Sequence, residues 1–253
     1  MNRENNGIEI LNKNFPQKTF RFLGEGKSSV VFTDEILVYK VFLLENYEAL
    51  GYKRHILNTI QANKNKFENS NLFYPIHQIV EINNDCFILI YPFEKSESCT
   101  AFEQNEIQNF LVECWQKRLI FQDIKPENFV RVNGKLKWID YEPDKFTDNL
   151  FLNMVVRAFI YAKYSNENQS FKNKLCRSAI NNFDLPELKG LQEFTNSLFA
   201  KIIFQESQIK TEQTENYKSV NDVSEIVNNG IYKLPYHDKF SAEQVFWELN
   251  KRN

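Results

Sequence analysis

Residues 117–131 read KRLIFQDIKPENFVR, and beyond an Asn133-Gly134 turn the chain continues to Trp138-Ile139-Asp140. Asp123, Lys125 and Asn128 fall on a loop that follows a helical stretch. That helix, 104–118, carries Ile107, Phe110, Leu111, Cys114 and Trp115 on one stripe at helical spacing. FVRV (129–132) and KLKWI (135–139) flank the Asn-Gly pair, the strongest short hairpin signal, so Asp140 ends a strand.

Upstream, two further features stand in fixed order. Leu23-Gly24-Glu25-Gly26-Lys27-Ser28-Ser29-Val30-Val31 lies between two strands. Glycines there let the backbone close over an anion and offer it N–H groups, although a GxG before a strand also serves as a plain hairpin turn. Lys40 sits within Val38-Tyr39-Lys40-Val41. A lysine among inward-facing apolar residues is costly unless it meets an anion, whereas on an edge strand it would simply face solvent.

Phosphoryl transfer needs little covalent chemistry from a protein. It needs a carboxylate to orient and accept from the attacking hydroxyl, cations on the phosphates, and oxygen ligands for Mg²⁺. A polar loop can hold Asp, Lys and Asn by chance. DIKPEN followed by a strand ending in Asp, downstream of a GxG and a strand lysine, is much harder to obtain that way.

FQDIKPEN resembles the catalytic loop of eukaryotic-like Ser/Thr protein kinases, LGEGKSSVVF a shortened Gly-rich loop, VYK the strand lysine and IDYE the metal-binding position. The resemblance spans about residues 20–145. It implies an α+β, bilobal protein-kinase-like fold with a small antiparallel β-rich N-lobe and a mainly helical C-lobe. It implies ATP and Mg²⁺ as cofactors, Asp123 as catalytic base and Lys125 as a γ-phosphate contact. Asn128 and Asp140 would be the metal ligands and Lys40 the ligand of the ATP phosphates. Gly24, Gly26 and Ser29 would shape the phosphate lid, with Val31 beside them on the nucleotide. Glu48 is the expected partner of Lys40, with Glu45 second and Lys53 an alternative occupant of that position. The adenine would lie against Tyr91-Pro92-Phe93 through backbone hydrogen bonds and apolar packing.

The chain departs from the family pattern in several places. Ser29 replaces the third lid glycine, Phe121-Gln122 stands where the family has His-Arg, and Tyr141-Glu142 replaces Phe-Gly. Without that arginine, an activation-loop phosphate has no basic partner. Asp140 is separated from Thr147 by a short run, with no conventional activation segment; Leu185-Pro186-Glu187 reads as a helix start. The DIKPEN string with Lys125 at its third position implies transfer to protein Ser/Thr hydroxyls as the expected activity. A sugar, lipopolysaccharide or small-metabolite acceptor is the first alternative, and a nucleotide-binding pseudokinase that works through partners is the second.

The rest of the chain agrees with a globular protein. It has 253 residues, 42% hydrophobic and 15% aromatic, so it can bury a core. A net charge of -2 gives no whole-protein reason to expect nucleic acid. Cys86, Cys99, Cys114 and Cys176 show no CxxC spacing and read as reduced thiols; no signal peptide or membrane span is legible, so the expected location is the cytoplasm, with secretion into another cell as an effector the alternative. Residues 1–19 read as an extension, 20–93 as the N-lobe and 94–253 as the C-lobe. Strands are expected over 21–32, 35–44, 76–82 and 86–93, with a helix from Glu45 to about Ala62. Helices are expected over 148–164, 170–182, 189–206 and 241–251, with 207–222 a charged, mobile connection.

Overall fold

The computed structural model describes residues 2–43, 50–83, 86–182 and 184–210. The protein is α+β. It forms two compact units: Met1–Ser98 with Phe129–Pro143, and Cys99–Asn128 with the residues from Asp144 onward. The hairpin 129–138, assigned by sequence to the second lobe, thus belongs to the first unit. Glu45, Glu48, the expected helix 241–251 and the stretch beyond Lys210 lie outside the described residues.

In the first unit, helix α1 (Arg3–Asn14) precedes strands β1 (Arg21–Glu25), β2 (Ser29–Thr33) and β3 (Leu37–Leu43). Helix α2 (Leu50–Asn63) is followed by β4 (Gln78–Asn83) and β5 (Cys86–Pro92). These strands form one five-stranded antiparallel sheet in the order β1-β2-β3-β5-β4, which puts β3 at its centre. A second sheet joins β6 (Glu97–Ser98) to the hairpin of β7 (Phe129–Val132) and β8 (Lys135–Trp138). Asn133 and Gly134 both have positive φ, 50° and 76°, as the mirror-image two-residue turn requires.

Strand alternation decides what each face of the five-stranded sheet buries. Val30, Phe32, Tyr39, Val41, Ile88 and Ile90 pack in one core with Leu11 of α1. Lys40 and Phe42 alternate with them along β3, and Phe42 stacks on Phe87 with ring centroids 4.3 Å apart. The segment expected to be an N-terminal extension is therefore a helix of the core. Its sequence RENNGIEILNKN is polar, but Gly7 and Leu11, one turn apart, are buried, and Asn2 caps its start by accepting from the Glu4 N–H at 3.2 Å.

The second unit is helical: α3 (Gln104–Gln116), α4 (Asp148–Lys163), α5 (Gln169–Asn181) and α6 (Leu191–Lys210). Thr147 caps α4, its hydroxyl accepting from the Leu150 N–H at 3.2 Å. Nine α4 residues from Phe151 to Tyr161 are buried, so this helix is apolar nearly all round and central to the unit. Gln108 of α3 donates from its buried amide to the Phe194 carbonyl at 2.9 Å, which ties α3 to α6. No helix among the described residues is long and apolar enough to cross a membrane, and all four cysteines are free and buried.

Gly7 is where α1 comes closest to the sheet: a Cβ there would lie 2.5 Å from Val30 Cγ2 and 2.9 Å from a Phe32 ring carbon. Alanine for glycine ordinarily helps a helix interior by up to about 1 kcal/mol. Overpacking against a fully buried, β-branched Val30 costs about 1–3 kcal/mol and outweighs that gain. Gly7→Ala is expected to lower the urea midpoint with an unchanged slope; a raised midpoint would show that α1 does not dock through this contact.

The β2–β3 turn carries a second testable feature. Burial alone pushes the Asp34 carboxyl up, but the Lys18 ammonium, the N–H groups of Leu37 and Ile36 and the Tyr39 hydroxyl outweigh it and hold it at about 2, against an ordinary 3.8. A depressed carboxylate contributes stability that is complete above its unfolded value and is lost as pH falls toward the folded one. The contribution, about 2 kcal/mol, should therefore fade between about pH 4 and pH 2. Asp34→Asn should flatten the loss of stability in that window, followed by urea unfolding at stepped pH; an unaltered acid limb would refute the assignment.

Candidate active site

The residues singled out by sequence fall into two groups, one in each unit, and each group is built differently.

In the first unit, Lys40 occupies the middle of the central strand and is only 6% exposed. The alternative of a lysine on a solvated edge therefore does not apply. Its ammonium donates to Asp140 Oδ1 at 2.7 Å, across 100 residues of chain. The Lys40 side chain is buried and that of Asp140 is 26% exposed, so desolvation of the ammonium offsets part of the attraction and the pair is a modest stabiliser. Val31 lies directly opposite Lys40 in the β2–β3 register.

The Gly-rich segment is a tight hairpin. Gly24 lies within β1 beside a register shift, and the Gly26 N–H donates to the Ser29 carbonyl at 2.8 Å. Two side chains fix it. Arg3 of α1 donates to the Gly26 carbonyl at 2.7 Å, and Ser28 Oγ donates to Glu142 Oε1 at 2.8 Å.

Residues 138–142 are held residue by residue. The Trp138 N–H donates to the Leu72 carbonyl at 2.8 Å, and its indole N–H donates to the Asp140 carbonyl. Tyr141 is wholly buried; its hydroxyl accepts from the Tyr74 N–H at 2.8 Å and donates to the Tyr74 carbonyl at 2.9 Å. Burial, next to the Tyr91 ring, pushes the Tyr141 phenol well up, so it stays neutral and can serve as donor and acceptor at once. The two positions that depart from Phe-Gly thus have structural work: Tyr141 clamps Tyr74, and Glu142 holds the Gly-rich turn.

The Tyr91-Pro92-Phe93 segment closes β5 and has backbone partners of its own. The Phe93 N–H already donates to the Ile36 carbonyl at 2.9 Å, and Pro92 has no N–H. The Tyr91 ring is buried in a stack with Tyr74 and Tyr141, at 5.6 and 5.2 Å between centroids. The Phe93 N–H is therefore committed to the turn between β2 and β3.

In the second unit, Asp123 carries an exposed carboxylate on the loop between α3 and the 3-10 turn Pro126–Asn128, with Ile124 and Pro126 buried beneath it. Lys125 Nζ lies 2.5 Å from Asp123 Oδ2. Asn128 Nδ2 donates to the Asp123 carbonyl at 2.7 Å and lies 3.4 Å from Asp123 Oδ2. Asp123 Oδ1 accepts from Arg157 of α4 at 2.9 Å. Sequence reasoning missed Arg157, yet a signal exists: it is the only charged residue between Asp148 and Lys163, inside an otherwise apolar helix. Glu48, the expected partner of Lys40, lies outside the described residues, and nothing is described of the Lys53 side chain.

No protein-family model matches the chain, and no curated protein matches it. Among the described residues, no group of three or more His, Cys, Asp or Glu comes together in a way that could hold a metal ion by itself.

Replacing Tyr141 by Phe would leave the Tyr74 N–H and carbonyl buried without their partner, at a cost of about 2–4 kcal/mol. Tyr141→Phe should lower the urea midpoint accordingly. A stability within about 0.5 kcal/mol of the parent would mean that the hydroxyl is not the clamp described.

Proposed function

We propose that this chain is an ATP-dependent phosphotransferase on the protein-kinase plan, with a β-rich and a helical lobe and protein Ser/Thr hydroxyls as acceptors. The observation that carries the reading is the Lys40–Asp140 pair. These residues, 100 positions apart, are the strand cation and the strand-end carboxylate that the resemblance assigns to nucleotide phosphates and metal. A pair that exists to trade partners for phosphate and Mg²⁺ explains why a buried ammonium meets a carboxylate that is still partly open to solvent.

The donor chemistry fits that assignment. Mg²⁺ takes one or two protein oxygen ligands and completes its shell with phosphate oxygens and water, so a carboxylate such as Asp140 would serve without a protein cage, and the resemblance assigns Asn128 the same role. ATP with Mg²⁺ would supply the γ-phosphoryl group and neutralise its charge. Lys40 would hold phosphate oxygens, and the Gly24–Ser29 hairpin would offer backbone N–H groups over them. Asp123 would orient the acceptor hydroxyl and take its proton as the oxygen bonds to phosphorus and the bond to the ADP oxygen breaks. Lys125 would steady the transferring group.

A second reading concerns the acceptor alone. Residues 138–142 are pinned and α4 begins at Asp148, so little chain is left to support an extended peptide. This favours a compact hydroxylated acceptor such as a sugar.

Purified protein with [γ-³²P]ATP and Mg²⁺ is expected to label itself or casein. Asp123→Asn and Asp140→Asn should each reduce labelling by about 10²–10⁴-fold. Label on a sugar with proteins unlabelled would establish the second reading. Nucleotide binding with no transfer to any acceptor, or full transfer by Asp123→Asn, would sink the catalytic proposal.

A further inference from the structure

The Asp123 carboxylate is held on both oxygens by cations of unlike character. Lys125 reaches Oδ2 on a flexible stem, at 2.5 Å. Arg157 reaches Oδ1 from the middle of α4, the buried helix of its unit, at 2.9 Å. The guanidinium is fixed in turn by acceptors that belong to the protein. Its Nε donates to the Ile124 carbonyl at 3.2 Å, and the nitrogen on Asp123 also donates to Asn173 Oδ1 at 3.2 Å. Asn173 Oδ1 accepts a further hydrogen bond from the Tyr161 hydroxyl at 3.1 Å. Arg157 thereby grips the loop at two successive residues, the Asp123 side chain and the Ile124 backbone, and is itself braced from α5.

From this geometry we infer that Arg157 is the positioning residue of the catalytic carboxylate: it holds the Asp123 side chain in one rotamer while Lys125 exchanges Asp123 for phosphate. The inference rests on the phosphotransferase reading above. Its physical basis is the difference between the two cations. An ammonium is a point charge that can follow the transferring group, whereas the planar guanidinium bridges three acceptors at fixed angles and stays where it is. If Lys125 turns to the phosphate, Arg157 is the cation that remains on the carboxylate, beside the longer 3.4 Å contact from Asn128 Nδ2 to Oδ2. Gln122, the neighbour on the loop, is uncharged and could not replace it.

The test uses the full chain with Mg·ATP and two acceptors, casein and water, so that transfer and ATP hydrolysis are both read. Arg157→Met keeps the stem and removes the fork. It is expected to lower kcat by about 10–100-fold, the scale of a misplaced reacting group, while KM for ATP stays within about twofold. Arg157→Lys keeps charge without the three-way bridge and should recover part of that loss. A general loss of structure would instead move KM, ATP affinity and melting temperature together.

The inference is overturned if Arg157→Met retains kcat within twofold while Asp123→Asn abolishes transfer. It is equally overturned if kcat falls only in step with ATP affinity. Should Arg157→Met fail to fold, Arg157→Lys decides, and full kcat there overturns it. If Asp123→Asn transfers normally, or the parent protein turns over no ATP, the phosphotransferase reading falls and takes the inference with it.

Discussion

An ammonium in the central strand of a sheet is tolerable only where an anion meets it, and this requirement organises the first unit. Lys40 has β2 on one side and β5 on the other, so it cannot reach water along the sheet. The anion must come from elsewhere in the chain, and it comes from Asp140. That demand draws the 129–143 segment into the unit that begins at the N-terminus. The Trp138 amide on Leu72, the Tyr141 hydroxyl on Tyr74 and the Lys137–Glu94 pair at 2.8 Å then fasten it there. A sequence-based boundary near residue 93 misses this, because hairpins read locally carry no information on which sheet's carboxylate a distant lysine needs.

The same segment reaches the Gly-rich hairpin through Glu142 and Ser28, while Arg3 holds that hairpin at Gly26 from α1. A turn with glycines would otherwise be the loosest part of the sheet, since glycine loses most conformational freedom on ordering. Two charge-assisted hydrogen bonds, each worth about 1.5–3 kcal/mol when well shielded and less where exposed, restrain it. Arg3 reaches it from the same helix whose Gly7 lies close against Val30 and Phe32.

Much of this was legible from residue patterns. The Asn-Gly hairpin, the stripe on α3 and the apolar run of α4 carry strong local signals, and the described elements begin and end within a few residues of those expectations. Helix α1 was not legible, because RENNGIEILNKN is polar and its docking depends on one glycine and one leucine a turn apart. In the candidate site, Asp123, Lys125 and Asn128 were legible as a string because they are neighbours in sequence. The pairing of Lys40 with Asp140 and the bond from Arg157 were not, since both are long-range contacts for which spacing gives no rule. Tyr141 was legible as a departure from Phe, but only the structure shows that its hydroxyl satisfies both backbone groups of Tyr74.

That clamp bears on how the group around Asp140 behaves. Where Phe-Gly would permit rotation, swinging Tyr141 out would break two buried hydrogen bonds and dismantle its contacts with the Tyr91 and Phe67 rings. Even about 3 kcal/mol for that step holds the released state near or below one molecule in a hundred. Glu142 would lose Ser28 in the same movement, so the Gly-rich hairpin and the Asp140 segment are coupled and favour one arrangement. A carboxylate fixed this way keeps its position whether it faces Lys40 or another cation. Charge held this way is preorganised: a cation that meets it finds the carboxylate already in place.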